Sequence, residues 1–127
     1  MSVLNEHFAK VAICFFTVLV AGCTKPDVIL NSRSTTAGLY LTVEQFHEGP
    51  LVADDTKVYV HLERNGQSKK RLVLWGEYLS FSKVSWIAPN EISMCLTAGQ
   101  TAEYHNEVLL SVDGSSEKVH VYLHEQC

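Results

Sequence analysis

The sequence lacks a hydrophobic segment long enough to cross a membrane. Its longest strongly apolar run, Val11–Ala21, carries no charge but covers only about half of the ~20 residues that a membrane-spanning helix requires. The run lies near the N-terminus, follows Lys10 and leads into the small residues Ala21 and Gly22. This arrangement is typical of a secretory signal peptide that is removed from the mature protein. We therefore expect residues 1–22 to be a cleaved leader.

A basic excess is also absent. The chain has 10 lysines and arginines against 14 aspartates and glutamates, which gives a formal net charge of −4. Nucleic-acid-binding domains and domains that dock on anionic lipid carry a basic patch. The one basic cluster, Lys69–Arg71, follows the turn residues Arg64–Gln67 and is typical of the solvated flank of a hairpin. We expect no nucleic-acid partner.

Motifs of catalysis and of cofactor binding are missing from the sequence. It contains no Gly-x-Ser-x-Gly elbow, no His-Glu-x-x-His and no glycine-rich phosphate loop. Its carboxylates are spread singly, except for Asp54 and Asp55, which fall in a loop between predicted strands. We expect a non-enzymatic domain without a cofactor.

A short motif, Val20-Ala21-Gly22-Cys23, ends the apolar run. It resembles the lipobox of bacterial lipoproteins, in which the cysteine is lipidated and becomes the first residue after cleavage by the lipoprotein signal peptidase. The resemblance implies that Cys23 carries the lipid and that Ala21 and Gly22 are the usual small pair before it. It also implies a domain that acyl chains anchor to a membrane without spanning it.

The residue after the lipidated cysteine bears on location. In bacteria with two membranes, an aspartate there commonly retains a lipoprotein at the inner membrane. This chain has Thr24 in that place, and its first following aspartate is Asp27. The resemblance therefore implies an outer-membrane lipoprotein that faces the periplasm.

Two cysteines remain after these assignments. Cys14 leaves with the leader and Cys23 is lipidated, so the mature domain keeps Cys95 and Cys127. Two leftover cysteines of an exported protein usually bond to each other. A metal or redox pair is the alternative, although the wide spacing and the absence of Cys-x-x-Cys disfavour it. We predict a disulfide.

Alternation of apolar and polar residues runs through most of the mature chain and predicts half-buried strands. Asn-Gly within residues 64–67 and Asp-Gly within residues 112–118 favour tight hairpins with positive φ at both central residues. No segment of the mature chain shows convincing helical spacing. The alternating apolar positions are Leu39, Leu41 and Val43; Val58, Val60 and Leu62; Val84 and Trp86; Ile92, Met94 and Leu96; Val108, Leu110 and Val112; and Val119, Val121 and Leu123.

These segments predict an all-β fold over residues 37–127, either an antiparallel β-sandwich or a small barrel. Of the two, we expect a small antiparallel β-sandwich of about seven or eight strands. Residues 23–36 show no sustained periodicity and are predicted to form the lipidated N-terminus and a flexible tether. Cys95 has the opposite parity to its apolar neighbours, whereas Cys127 shares the parity of the apolar residues in the last strand. A bridge between them requires a bulge or a curled C-terminus, and we expect the curl.

Tyrosines and histidines occupy outward positions of two predicted strands. Tyr59 and His61 lie on one strand, and His120, Tyr122 and His124 lie on the last. Alternate positions on one face of a strand are about 7 Å apart, close enough to share a metal if a third ligand comes from a neighbour. The same side chains suit a protein-docking face, or simply tolerate a half-exposed sheet surface. We assign no metal and take the five residues as a possible partner-binding face.

The sequence thus favours a membrane-anchored envelope lipoprotein that acts as a non-enzymatic binding or scaffolding domain for another envelope protein. An alternative is an inhibitor or immunity-type lipoprotein that blocks a secreted hydrolase or toxin with the acidic loop at residues 48–56. A metal-binding or small enzymatic domain is the third hypothesis.

Overall fold

A computed structural model describes residues 26–47, 54–125 and 127 of this chain. The predicted signal peptide, residues 1–22, and the predicted lipidation site Cys23 lie outside the described residues. Within the described part, no helix has the length and hydrophobicity to cross a membrane. The strands are β1 (Asp27–Arg33), β2 (Leu39–Phe46), β3 (Asp55–Arg64), β4 (Gln67–Ala88), β5 (Glu91–Tyr104), β6 (Glu107–Val112) and β7 (Ser115–His124).

The prediction of an all-β fold is confirmed. The described residues form seven strands in a single open sheet, in the order β1-β2-β3-β4-β5-β7-β6. Every neighbouring pair is antiparallel except β5 and β7, which are parallel. The parallel pair arises because the β6–β7 hairpin places its second strand beside β5, which leaves β6 at the edge of the sheet.

Two long strands bend the sheet so that its halves face each other. β3 pairs with β4 only as far as Glu77, and the pairing of β4 with β5 shifts register between Glu77 and Ser80. At this bend Tyr78 has a φ of 53° and Gly99 a φ of 102°. A Cβ at Gly99 would lie 2.5 Å from the carbonyl oxygen of Tyr78, so the close approach of the two strands requires glycine.

The two layers of the predicted sandwich are therefore two halves of one continuous sheet. The first half holds β1, β2, β3 and the start of β4; the second holds the end of β4, the start of β5, β7 and β6. β6 contacts β3 and β4 from across the interior, although it is their neighbour neither in the chain nor in the sheet. Strands that switch layers at bulges make such corners in other folded sheets.

A single hydrophobic core fills the space between the halves. Along β3 every second residue is buried, because alternate side chains of a strand point to opposite faces. Burying each Val or Leu side chain stabilises the fold by roughly 1.5 to 3 kcal/mol. The buried apolar residues are Leu39, Leu41, Val43, Val58, Val60, Leu62, Val73, Leu74, Leu79, Ile92, Met94, Leu96, Val108, Leu110, Val112, Val119 and Val121.

Both predicted tight hairpins are confirmed. Asn65 and Gly66 join β3 to β4 with φ angles of 51° and 78°. Asp113 and Gly114 join β6 to β7 with φ angles of 49° and 78°. Positive φ at both central residues matches the right-handed twist of the flanking strands.

The predicted tether needs a correction. Residues 27–33, predicted to belong to a flexible tether, form β1 and pair with β2, so the folded sheet extends back to Asp27 and does not start at residue 37. β1 is an edge strand whose register shifts between Val28 and Leu30. Only Leu30 of this strand packs against the core, and the shift interrupts any alternation. The sequence therefore carries no period-two signal there.

Cys95 and Cys127 lie at disulfide distance, with Cα atoms 6.2 Å apart. Cys95 points away from the core with only 6% of its surface exposed. β7 ends at His124, so the chain leaves the sheet before Cys127 and reaches the outward side of β5. The predicted curled C-terminus resolves the parity conflict.

Candidate functional site

The outward side of the first half is rich in aromatic and charged side chains. The register sets His61 of β3 beside Tyr40 of β2 and Lys70 of β4, and Tyr59 beside Thr42. We call this surface the aromatic face. Its residues are Arg33, Tyr40, Thr42, Glu44, Phe46, Lys57, Tyr59, His61, Glu63, Lys70 and Trp75.

Cationic side chains lie over the rings of the aromatic face. The distances from cation to ring centroid are 5.0 Å for Arg33 over Tyr40, 4.4 Å for Lys70 over Tyr59, 4.9 Å for Lys57 over Phe46 and 5.8 Å for Lys57 over Trp75. Each such contact contributes about 0.5 to 1 kcal/mol at an exposed site. The rings therefore restrict the positions of three long, otherwise flexible side chains.

A hydrogen-bonded chain runs through the middle of this face. The Thr42 hydroxyl donates to the Glu44 carboxylate at 3.1 Å, and the same oxygen lies 2.7 Å from Nε2 of His61. Because the single hydroxyl hydrogen is already donated, Nε2 of His61 must carry the hydrogen of the second bond. Thr42 and Glu44 are only 5% and 6% exposed, although they point outward. The chain thus satisfies a carboxylate that is buried beneath the face.

The His61 ring is held on its other side by Tyr40. The two rings stack with centroids 4.4 Å apart and planes 4° from parallel. The Tyr40 hydroxyl in turn donates to Glu63 at 3.0 Å. Burial lowers the pKa of His61 below its usual value; the negative charge of Glu44 opposes this shift, and the positive charge of Lys70 adds to it. The neutral, stacked imidazole is therefore favoured near neutral pH.

The outward side of the second half is different. Its named residues sit on β5, β6 and β7, and we call it the β7 face: Glu91, Glu107, Lys118, His120, Tyr122 and His124. The Tyr122 hydroxyl donates to Glu91 at 3.1 Å, which raises the pKa of Tyr122. Nδ1 of His120 lies 3.5 Å from Glu107, and Tyr122 is 42% exposed. No ring stacks on another among the described residues of this face.

The five sequence-predicted residues therefore fall in two places. Tyr59 and His61 lie on the aromatic face, whereas His120, Tyr122 and His124 lie on the β7 face. No hydrogen bond, ion pair or ring contact between described residues joins the two sets. In the described part of the chain, no group of three or more His, Cys, Asp and Glu side chains is arranged to hold a metal ion.

The acidic pair at residues 54–55 is already engaged at one position. Nδ1 of His47 lies 2.9 Å from Asp54, and Nε2 of His47 lies 3.4 Å from Asp27 at the start of β1. The hydrogen bond to Asp54 and its negative charge raise the pKa of His47. The rest of the acidic loop, residues 48–53, lies outside the described residues.

Sequence reasoning missed most of the aromatic face. Tyr40, Thr42 and Glu44 alternate with core positions and are recognisable as outward, but nothing in the sequence sets Tyr40 opposite His61. That register depends on the connection between β2 and β3, whose Gly49-Pro50 marks a loop but does not specify how the two strands pair. Trp75 falls in a strand that is apolar on both faces, which hides its outward orientation.

Comparison of the chain with protein-family models, with curated proteins and with solved structures finds no match.

Proposed function

We propose that this protein is an outer-membrane lipoprotein, lipidated at Cys23, whose β domain binds another envelope protein through the aromatic face. The observation that carries the binding role is the arrangement of Tyr, Trp, Lys and Arg side chains on an outward sheet surface, where cation–ring contacts restrict them in the free chain. Tyr, Trp and Arg dominate the binding energy of protein interfaces, and a pre-ordered surface loses less entropy on binding.

The anchoring part of the proposal draws on the N-terminal motif and on the cysteines. The resemblance of residues 20–23 to a lipobox supports lipidation of Cys23. The disulfide-distance pair of Cys95 and Cys127 is what an oxidising compartment favours. Both features agree with export to the periplasm.

The start of β1 adds a geometric consequence. Only residues 24–26 separate Cys23 from Asp27, the first residue of the sheet. Three extended residues span roughly 10 Å. A lipid on Cys23 would therefore hold the domain against the bilayer, with the start of β1 nearest to it.

Charge indicates the kind of partner. Arg33, Lys57 and Lys70 stand on the aromatic face of a chain whose formal net charge is −4. Of the carboxylates among them, Glu44 is buried and Glu63 accepts from Tyr40. The complementary partner is an envelope protein with an acidic patch, since matched charges steer association and select the partner.

Replacing Cys23 by Ser tests the anchor. Because the thiol alone can carry the lipid, the Cys23→Ser variant is expected to remain as unprocessed precursor without an attached acyl group, as measured by mass spectrometry of fractionated envelopes. Normal maturation and membrane retention of this variant would contradict lipidation.

Co-purification from solubilised envelopes tests the binding role. The Lys57→Glu/Lys70→Glu variant is expected to lose the co-purified partner, because it reverses two charges of the aromatic face. Lys118→Glu on the β7 face is the matched control and should retain the partner. Loss with the control but not with the double variant would assign binding to the other face.

A further inference from the structure

An open groove lies between the two halves of the sheet on the side away from β6. Its volume is about 350 Å³, and its walls include Ile29 and Leu30 of β1 and Leu79, Phe81 and Lys83 of β4. Leu30 and Phe81 also pack against the core, so the groove is a partly uncovered side of the hydrophobic interior. Ile29 is 53% exposed at its rim.

Two strand edges flank this groove. Among the described residues, β1 pairs only with β2, and β4 has no strand partner on its β3 side beyond Glu77. In this part of the chain the backbone N–H and C=O groups that point outward from these edges, apart from the Ser32 carbonyl, can therefore pair with a further strand. At one end the gap is closed, because the Trp86 indole N–H donates to the carbonyl oxygen of Ser32 at 2.9 Å.

The direction of the two edges is the same. Ser34, just after β1, donates to the carbonyl oxygen of Pro89, just after β4, so both strands run toward this end of the molecule. A strand whose N-terminus lies at this closed end and whose C-terminus lies at the open end runs antiparallel to both neighbours. Antiparallel pairing is the more stable arrangement, and it would convert the gap into a continuous ladder.

We propose that this groove binds an extended, apolar segment of a partner protein as an added strand between β1 and β4. The free edges specify an extended backbone, and the apolar walls specify alternate Val-like side chains. Lys83 is the charged residue of the lining and has no ion-pair partner among the described residues, so a carboxylate on the segment completes the match. This site is separate from the aromatic face and does not depend on lipidation.

Titration of the full chain with short peptides tests the proposal. The probe is a capped peptide of about six residues with alternating Val and Thr and one Glu, the usual length of a strand. Binding should protect amides of β1 and of residues 79–85 from hydrogen exchange. A peptide with alternate backbone nitrogens methylated should bind roughly tenfold more weakly or worse, and a Lys-for-Glu peptide about fivefold more weakly.

A matched pair of variants locates the site. Ile29 and Leu109 are 53% and 54% exposed, and each sits on an edge strand, β1 and β6 respectively. Ile29→Lys should weaken binding by about tenfold, whereas Leu109→Lys should change it by less than about twofold. Peptide affinity that is lost with Leu109→Lys, or that is insensitive to N-methylation, overturns the proposal.

Two further outcomes also overturn it. The first is no binding of the Glu peptide at millimolar concentration. The second is self-association of the chain without peptide that Ile29→Lys abolishes, because a second copy would then be the natural occupant of the groove.

Discussion

The two outward faces of this sheet start from the same sequence pattern and reach different environments. On β3, Tyr59 and His61 have β2 and β4 on either side, and His61 is stacked, hydrogen-bonded and half-buried. On β7, His120 lies between β5 and β6 and Tyr122 lies beside β5, and each contacts a single glutamate. Alternation along a strand therefore predicts which side chains point outward, but the neighbouring strands decide what those side chains do.

The difference comes from cross-strand partners. Tyr40 and Lys70 stand beside His61 in the first half, and both offer rings or long stems that cover it. Glu91 and Glu107 stand beside His120 in the second half, and they leave the ring open to solvent. Cross-strand pairs are the unit of stabilisation in sheets, so the aromatic face should be the more rigid and the more sensitive to substitution.

The largest expected effect concerns the bridge that closes the C-terminus over the second half. Cys127→Ser should lower the free energy of unfolding by roughly 3 to 4 kcal/mol, because the bridge joins residues 32 apart and restricts the unfolded chain. Urea unfolding with and without reductant measures it. Equal stability of the reduced and oxidised chain, or alkylation of both cysteines without reductant, would contradict the bridge.

Breaking the hydrogen-bonded chain of the aromatic face comes next. Thr42→Val keeps the shape of the side chain but leaves the Glu44 carboxylate without its donor, at a cost of about 1 to 3 kcal/mol. Tyr122→Phe removes the solvent-exposed bond from Tyr122 to Glu91 and should change the free energy of unfolding by about 0.5 kcal/mol or less. If both variants lowered the free energy of unfolding by a similar amount, the proposed difference between the two faces would be contradicted.

A smaller difference is expected between the two histidines. The bare strand pattern predicts that His61, His120 and His124 each tolerate Thr with a change of about 0.5 kcal/mol or less. His61→Thr removes the stack on Tyr40 and the hydrogen bond to Thr42, so we expect it to lower the free energy of unfolding by about 1 to 2 kcal/mol. His120→Thr keeps the small value. Urea denaturation of His61→Thr and His120→Thr measures this difference, and equal free energies of unfolding would contradict it.

The smallest effect is in the pH dependence of stability, where two histidines act with opposite sign. The pKa of His61 is lowered by burial, so its contribution is complete above about pH 6.5 and is lost as the pH falls through the folded pKa. The pKa of His47 is raised by Asp54, so its contribution is complete below about pH 6.5 and is lost as the pH rises through the folded pKa.

Variants separate these two contributions. His61→Thr should flatten the loss of stability on the acid side of pH 6.5, and His47→Gln should flatten the loss on the alkaline side. Urea midpoints between pH 5 and 8 give the measurement. A His61→Thr curve parallel to that of the parent chain would contradict the lowered pKa.

Local signals account for what the sequence predicted well. Asn-Gly and Asp-Gly require positive φ and so identify both hairpins, and alternation over β3 identifies its buried and outward residues. The parity of Cys95 and Cys127 requires a bulge or a curled C-terminus, and in the structure β7 ends at His124, before Cys127 reaches Cys95. The hairpins and the alternation are encoded within a few neighbouring residues, whereas the curl is inferred from two cysteines 32 residues apart.

The remaining features depend on long-range pairing. β1 is stabilised by its pairing with β2, and its residues do not alternate between apolar and polar, so hydrophobic periodicity does not predict it. The bend of β4 at Tyr78 interrupts the alternation, so the sequence pattern does not indicate that residues 67–88 form one strand. The stack of His61 on Tyr40 likewise depends on the register of β2 with β3. The candidate site could be predicted only as two outward positions and not as a connected surface.

Site-specific photo-crosslinking in intact envelopes tests the central claim, that the aromatic face and not the β7 face contacts the partner. A photoreactive tyrosine analogue replaces Tyr59 in one variant and Tyr122 in the other, since both residues point outward from the sheet. We predict a discrete cross-linked product with the analogue at position 59 that the Lys57→Glu/Lys70→Glu background abolishes, and none at position 122. A product at position 122 alone would contradict the account.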